Sequence, residues 1–344
     1  MQACFLVNTT CILNVMVKEI VLSGIRPTGE LHLGNYFGAL RQWVSIQEKY
    51  DCYFMVADLH SLTTLETTKN IKEKTLELAG LWLSSGLNPK KSTIFLQSAV
   101  PEHGELASIF ATLLPVSMLE LNPTYKEMVS ENPKAGSFGI LNYPVLQAAD
   151  ILAYKASRVP IGKDQDPHLE ITRETARRFN RRFGNTFPEP GSMFDEVPKI
   201  YSLSSLQKKM SKSHGSDSYV ALLDSPETIR KKIGRAVTDS GSEIKYDERN
   251  KPAVSHLLDI FYLTSGIPVK KLEASYKNAG YAGFKKDLAE AIIAHLSPIQ
   301  KKYAELSKNP KKIEKIFKDG SERASEVAQK TLAEVKSKIG LLDF

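Results

Sequence analysis

The sequence predicts an α/β fold, a Rossmann-like doubly wound parallel sheet followed by a mostly helical C-terminal domain. Two observations carry that expectation. Over residues 19–96 short apolar strand patterns alternate with helical ones, and from Lys231 onward strand patterns vanish while helical spacing persists. A third, the length of 344 residues, leaves room for two domains. The expected division is an N-terminal extension over 1–16, a sheet domain over 17–230 and a helical domain over 231–344.

Taken in order, Glu19 to Ile25 reads as a short buried strand broken by Arg26-Pro27-Thr28-Gly29. From Gly34 onward Tyr36, Phe37, Leu40, Trp43, Val44 and Gln47 follow helical spacing. Cys52 to Ala57 forms a second apolar strand ending in Asp58-Leu59-His60, and a helical pattern over Lys69 to Ser85 leads into the strand Ser92 to Leu96. The right-handed crossover rule then puts loops 25–34 and 58–63 at one edge, beyond the carboxyl ends of the strands, where ligands bind in such sheets. Residues 100–190 alternate helical stretches with Pro- and Gly-containing loops, and Val159-Pro160-Ile161-Gly162 reads as a short strand ending in a turn. Helical patterns over Val254 to Leu263, Phe284 to Leu296 and Glu322 to Lys338 make up the second domain.

Composition narrows the class. The chain is 42% hydrophobic and 25% charged, as an ordinary globular protein is. Its longest apolar candidate for a span, Cys4 to Met16, is interrupted by Asn8, Thr9, Thr10 and Asn14 and lacks a preceding basic region, so neither a membrane helix nor a signal peptide is expected. Residues 1–15 read as a disordered extension or the product of an upstream start, because Met16 stands just before the first strand. Cys4, Cys11 and Cys52 are few and unpatterned, which fits a reducing cytoplasm and argues against a disulfide framework or a cysteine zinc site. A net charge of +7 suits a polyanionic partner without requiring one.

Two stretches carry chemistry. The first, Ser23 to Asn35, follows a strand and opens a helix, where exposed N–H groups and the helix dipole favour phosphate. Gly34 lets a flat ligand such as adenine approach the backbone, and His32 and Asn35 can donate to phosphate oxygens. A glycine-rich turn with a helix-capping Asn explains the same residues equally well. The second, Lys208-Lys209-Met210-Ser211-Lys212-Ser213-His214-Gly215, places three lysines among small residues, and a mobile positive loop of this kind suits neutralisation of a leaving pyrophosphate. A solvated basic loop is the blander alternative.

Lys209 to Ser213 matches the KMSKS signature of class I aminoacyl-tRNA synthetases, and His32-Leu33-Gly34-Asn35 resembles their HIGH signature with Asn35 in place of the second His. Pro27 to Tyr36, Val56 to His60, Tyr143 to Leu152 and Gly162 to Gln165 all resemble the tryptophanyl-tRNA synthetases, and the resemblance covers roughly residues 17–340. It implies that His32, Asn35, Lys209 and Lys212 act on the phosphates. It places Arg26, Pro27, Thr28, Gly34, Gly162, Asp164, Met210 and Ser211 with them around ATP, which enters with Mg²⁺ and without any tightly bound cofactor.

By the same resemblance Asp150 falls where the tryptophan enzymes recognise the indole nitrogen, with His60, Tyr143, Gln147, Val159, Ile161 and Gln165 on other pocket positions. Helical spacing puts Tyr143 and Gln147 on the face of Asp150, and a carboxylate buried there needs a donor that an indole N–H or a phenol O–H can supply. Leu22 is expected to join Val159 and Ile161 as an apolar wall. There are departures: Gln147 stands where many bacterial relatives carry Met, Arg26 where Gln is common, and Met128 where some have Lys, with Lys126 nearby. The tyrosine enzymes share Tyr-x-x-x-Gln-x-x-Asp, so this helix alone does not separate the two substrates.

The implied reaction is adenylate formation from L-tryptophan and ATP, then acyl transfer to tRNA(Trp) by a homodimer whose helical C-terminal domain reads the anticodon. Two basic regions are candidate tRNA contacts. In Ile171 to Phe183 five arginines face the single Glu174, and residues 301–344 hold 11 Lys/Arg against 7 Asp/Glu. Kept open beside this are a tyrosine-specific enzyme, a non-catalytic synthetase-like paralogue and another adenylyl transferase.

Overall fold

The computed structural model describes residues 18–63, 70–131, 136–161, 166–193, 198–212, 215–277 and 279–342. The extension expected over 1–16 and the site residues Gly162, Asp164 and Gln165 lie outside the described residues, as do Ser213 and His214. The element order is β1 (Ile20–Ile25), α1 (Leu33–Asn35), a π-helical turn (Tyr36–Leu40), α2 (Arg41–Ile46), β2 (Asp51–Val56), α3 (Asp58–Ser61), α4 (Ile71–Ser84) and β3 (Ser92–Leu96). Then come α5 (Glu102–Ala111), α6 (Val116–Glu120), α7 (Pro123–Glu131), α8 (Phe138–Leu152), β4 (Arg158–Pro160), α9 (Asp166–Phe183) and β5 (Gly191–Met193). Helices close the chain: α10 (Pro226–Arg235), α11 (Pro252–Ser265), α12 (Val269–Ser275), α13 (Gly280–Leu306) and α14 (Pro310–Ile339).

The strands form one five-stranded parallel sheet in the order β3-β2-β1-β4-β5, with Ile20 opposite Asp51 and Cys52 opposite Ser92. The chain moves outward from β1 to β3 and then returns to lay β4 on the other side of β1 (Val21 opposite Arg158). The strand order therefore reverses between β1 and β4, and a crevice opens beyond their carboxyl ends.

The pleat sorts the strand residues into two cores. Val21, Cys52, Phe54, Val56 and Ile94 face a core shared with α2, α4, α11 and α13, whereas Leu22, Tyr53, Met55, Phe95 and Val159 face one shared with α5, α8 and α9. Both faces being covered explains why these strands read as continuous apolar runs.

The last helix wraps the free edge of the sheet. Ile313 and Phe317 of α14 belong to the first core, Ala324, Ala328, Leu332 and Val335 to the second. Between them Gly320 lies against β3 so closely that a Cβ there would sit 1.9 Å from the Ile94 carbonyl oxygen, and the Leu96 N–H donates to Ser321 Oγ at 3.2 Å. An edge strand with unpaired amides is a liability, and α14 covers it. A division of the chain at residue 230 therefore separates α14 from the sheet it packs on. Among the described residues no helix is long and apolar enough to cross a membrane.

Candidate active site

The crevice at the reversal point holds a cavity of about 530 Å³. Leu22, Ser23 and Gly24 of β1, Met55 and Ala57 at the end of β2, and Val159 and Ile161 at the end of β4 form one side. α8 forms the other with Ile140, Tyr143, Gln147, Asp150 and Ile151, a single stripe because residues three and four apart share a helix face. Arg26, His60, Thr63, Met128 and His168 complete the lining. Seven residues expected from the sequence to serve the site (Arg26, His60, Tyr143, Gln147, Asp150, Val159, Ile161) thus converge here, with Leu22 as the expected wall. Met128 lines the cavity and Lys126 is exposed outside it.

Asp150 is 1% exposed and does not wait for a substrate donor, which corrects the expectation drawn from its burial. The protein supplies two, His60 Nε2 at 2.7 Å from Oδ2 and Gln97 Nε2 at 2.9 Å from both oxygens, and sets His103 Nδ1 beside Oδ1 at 2.9 Å as a close polar contact. Burial alone would push the carboxyl up, but the His103 and His60 rings set against its oxygens outweigh it and hold Asp150 well below the usual carboxylate range. Gln97 and His103 went unread because a His between Glu102 and Gly104-Glu105 looks like a solvated helix start, and a Gln after a strand looks like filler. The signal available was that a buried polar side chain must have a partner. Tyr143 donates its hydroxyl to Asn122 Oδ1 at 3.2 Å, which holds the ring at the cavity wall.

The two loops expected to hold ATP meet beside the cavity. His32 caps α1: its Nδ1 accepts from the Asn35 N–H and its own N–H donates to Asn35 Oδ1, both at 3.4 Å. The capping alternative and the phosphate reading are therefore compatible, because each side chain spends its acceptor on the cap and keeps a donor, His32 Nε2–H and Asn35 Nδ2. Burial, reinforced by the Lys212 ammonium, lowers the His32 imidazole to about 4, so it is neutral at ordinary pH and Nδ1 can accept. A Cβ on Gly34 would lie 3.0 Å from His32 Nδ1 and 3.3 Å from Met210 Cβ. The glycine thus lets the second loop close on the first.

That second loop is tethered in its described part rather than loose. Met210 N–H donates to the Ile200 carbonyl at 3.0 Å, Ser202 N–H to the Lys208 carbonyl at 2.9 Å, and Ser218 Oγ–H to the Ser211 carbonyl at 2.8 Å. Leu33 N–H donates to Val220 and Leu222 N–H to Leu31, binding the strand after the loop to the first signature. Met210 is buried, and Lys212 reaches Gly29, where a Cβ would stand 3.0 Å from Nζ. Gly29 also has φ +125°, a conformation that side chains rarely adopt. Burial lowers the Lys212 ammonium from 10.5 to about 8, against the pull of Glu30 and Glu77. Pro27 is buried and Thr28 half-buried in the same turn, while Lys209 is exposed and pairs through its backbone with Tyr201.

The arginine-rich helix departs from the sequence reading. Arg173 pairs with Asp166 and Glu170, Arg177 with Glu170, Glu174 and Glu189, and Arg178 with Glu174. The expectation counted Glu174 alone, because Asp166, Glu170 and Glu189 lie outside the window 171–183 and are brought in by the helix turn and the following loop. Arg181 and Arg182 remain exposed at the end of α9.

A parallel sheet with a ligand crevice at its reversal point, a capped His-Leu-Gly-Asn turn and a lysine loop folded onto it define a nucleotide-using enzyme of the class I synthetase type. The family model for class I tRNA synthetases (W and Y) matches residues 17–297, and the chain belongs to that family. It is an aminoacyl-tRNA synthetase. The tryptophan–tRNA ligase of Caldanaerobacter subterraneus subsp. tengcongensis is 46% identical over 94% of this chain and 98% of its own length. That of Clostridium acetobutylicum is 42% identical over 94% and 98%. Among solved structures, the tryptophanyl-tRNA synthetase from Campylobacter jejuni complexed with ADP and tryptophan superposes with a TM-score of 0.82 at 35% identity, covering 94% of this chain and all of the other. The enzyme from Mycoplasma pneumoniae gives 0.86 at 31% identity, covering 94% and 98%.

Proposed function

We propose that this enzyme is a tryptophan–tRNA ligase: it activates L-tryptophan with ATP to tryptophanyl-adenylate, releasing pyrophosphate, and transfers the tryptophanyl group to tRNA(Trp). The observation that carries the reading is the cavity itself, a slot of about 530 Å³ with apolar walls and an ionised, oriented carboxylate at its floor. Leu22, Met55, Val159 and Ile161 suit a flat bicyclic ring, and Asp150 with His60 offers acceptors to a ring N–H.

In this reading the tryptophan carboxylate attacks the α-phosphorus of Mg²⁺-ATP in line, and no covalent enzyme intermediate is needed. Positioning and charge supply the rate. His32 Nε2–H and Asn35 Nδ2 donate to phosphate oxygens. Lys212, with Lys209, neutralises the leaving pyrophosphate, and Arg26 at the cavity mouth binds phosphate or ribose. Mg²⁺ enters chelated by the nucleotide's own oxygens. Gly162, Asp164 and Gln165 are assigned to the ribose and substrate by the family pattern. Residues 231 to about 309, with the outer face of α14, form the anticodon-reading part. The enzyme works in the cytoplasm as a homodimer. In support of the dimer, Val116, Leu121 and Phe138 stand 58%, 66% and 75% exposed around α6 and the start of α8, and such apolar surface favours burial against a partner.

Amino-acid-dependent ATP–pyrophosphate exchange tests the proposal, each standard amino acid being supplied separately. Exchange with tryptophan alone is expected. Exchange with tyrosine would keep the class and overturn the substrate, and no exchange from folded protein would overturn catalysis.

A further inference from the structure

Behind the floor of the cavity lies a buried chain of polar groups that the family signatures do not include. Tyr154 Oη stands 2.7 Å from His103 Nε2, His103 Nδ1 stands 2.9 Å from Asp150 Oδ1, and Asp150 Oδ2 stands 2.7 Å from His60 Nε2. Of the four, only Asp150 and His60 line the cavity. His103 and Tyr154 are 0% and 1% exposed on α5 and just beyond α8, so neither reaches a bound substrate.

The distances admit an assignment of the protons in which each group of the chain serves the next. With Asp150 ionised, each neighbour must present a donor to it, so His60 carries its proton on Nε2 and His103 on Nδ1. In that assignment His103 Nε2 accepts the Tyr154 O–H. Burial first, and then the Asp150 charge, push the Tyr154 hydroxyl upward, so it stays protonated as the assignment requires. Gln97 adds an amide N–H to both carboxylate oxygens, and its Oε1 accepts from the His60 backbone N–H at 3.3 Å, which ties the amide's orientation. Both Asp150 oxygens are thus held from the protein side, by His60 and Gln97, with His103 packed against Oδ1.

We propose that His103, backed by Tyr154 and flanked by Gln97, is a positioning residue for amino-acid selection: it holds Asp150 as an acceptor aimed at the ring N–H of the substrate. This rests on the tryptophan reading. The alternative is a core histidine whose only task is to satisfy a buried carboxylate.

The two differ in discrimination. A tryptophan analogue whose ring N–H is replaced by sulfur keeps the shape and loses the donor. The test is the ratio of kcat/KM for tryptophan to kcat/KM for that analogue in pyrophosphate exchange, which cancels any loss of active protein. His103→Leu is expected to lower the ratio by about tenfold or more, through KM for tryptophan, because a hydrogen bond to a charged acceptor is worth that much. His103→Asn, whose side-chain N–H falls near the position of Nδ1, is expected to retain it. An unchanged ratio in His103→Leu, with both substrates losing equally, would overturn the proposal. Should His103→Leu fail to fold, Gln97→Leu carries the same comparison. NMR of the ring nitrogens in histidine-labelled wild-type protein decides the proton assignment directly: a neutral Nδ1–H His103 is expected, and a protonated or Nε2–H ring overturns it. A wild-type enzyme that exchanges pyrophosphate with tyrosine rather than tryptophan would remove the reading beneath, and that is seen before any variant is compared.

Discussion

Lys212 gives the sharpest test of how the lysine loop works. Its ammonium titrates near 8 in the folded chain, because burial against Gly29 outweighs the attraction of Glu30 and Glu77. If this charge neutralises pyrophosphate, the free enzyme loses the needed form as the pH rises. About nine-tenths of Lys212 is charged at about pH 7 and about one-tenth at about pH 9, so kcat/KM for ATP is expected to fall about tenfold between them. The assay is pyrophosphate exchange at saturating amino acid and limiting ATP across that range. Stability should move the other way. An unfolded lysine keeps its proton up to 10.5, so between about 8 and 10.5 the unfolded chain binds more protons and the folded state gains with rising pH. An enzyme growing less active while its thermal midpoint holds or rises is therefore titrating at the site and not unfolding. Lys212→Arg, whose guanidinium stays charged throughout, should be less active and flat in pH. Glu30→Gln removes the carboxylate that pulls the ammonium up and should shift the inflection to lower pH. The same inflection surviving in Lys212→Arg would assign it to another group and refute the reasoning.

Three further outcomes follow from the structure. Burial lowers His256 to about 4, so on acidification from 6.5 the unfolded chain takes up a proton that the folded one refuses. Up to about 3 kcal/mol of stability should be lost across that window, less steeply in His256→Gln, and parallel loss in both proteins by thermal denaturation would disprove the assignment. Gly320→Ala forces a Cβ toward the Ile94 carbonyl and should cost about 3 kcal/mol or more, whereas a wild-type denaturation midpoint would mean that α14 does not seat on β3 as described. Arg181→Ala and Arg182→Ala should each weaken tRNA binding and reduce its salt dependence by about one charge, while Arg173→Ala, whose partners are internal, should leave the salt slope unchanged. Equal slopes for all three would contradict the pairing seen on α9.

Much of the fold was legible in the sequence because local periodicity is written by burial. Ser92 to Leu96 is a strand at the bounds read from its apolar run, and the strands at Ile20 and Asp51 differ from their expected starts by one residue. The helical stripe Tyr143, Gln147, Asp150 was legible for the same reason, since spacing of three and four decides a shared face whatever the helix packs against. The three-residue strands at Arg158 and Gly191 were harder. Such short segments owe their conformation to pairing with a neighbour already in place, so the first was read only in outline and the second not at all.

What the sequence determined by itself was the order of the elements, the two signature loops and the residue types that the site uses, because these depend on neighbours along the chain. Only the tertiary structure decided their partners. It closed Lys212 and Met210 onto the His32 turn across some 180 residues, paired two of the α9 arginines with carboxylates outside their own window, and returned α14 to the edge of the sheet. It also set His60, Gln97 and His103 against the Asp150 carboxylate. The physical reason is common to all four. Neutralising a charge or satisfying a buried polar atom is a matter of distance in space, which a linear pattern does not encode, whereas the burial that sets periodicity repeats residue by residue along the chain.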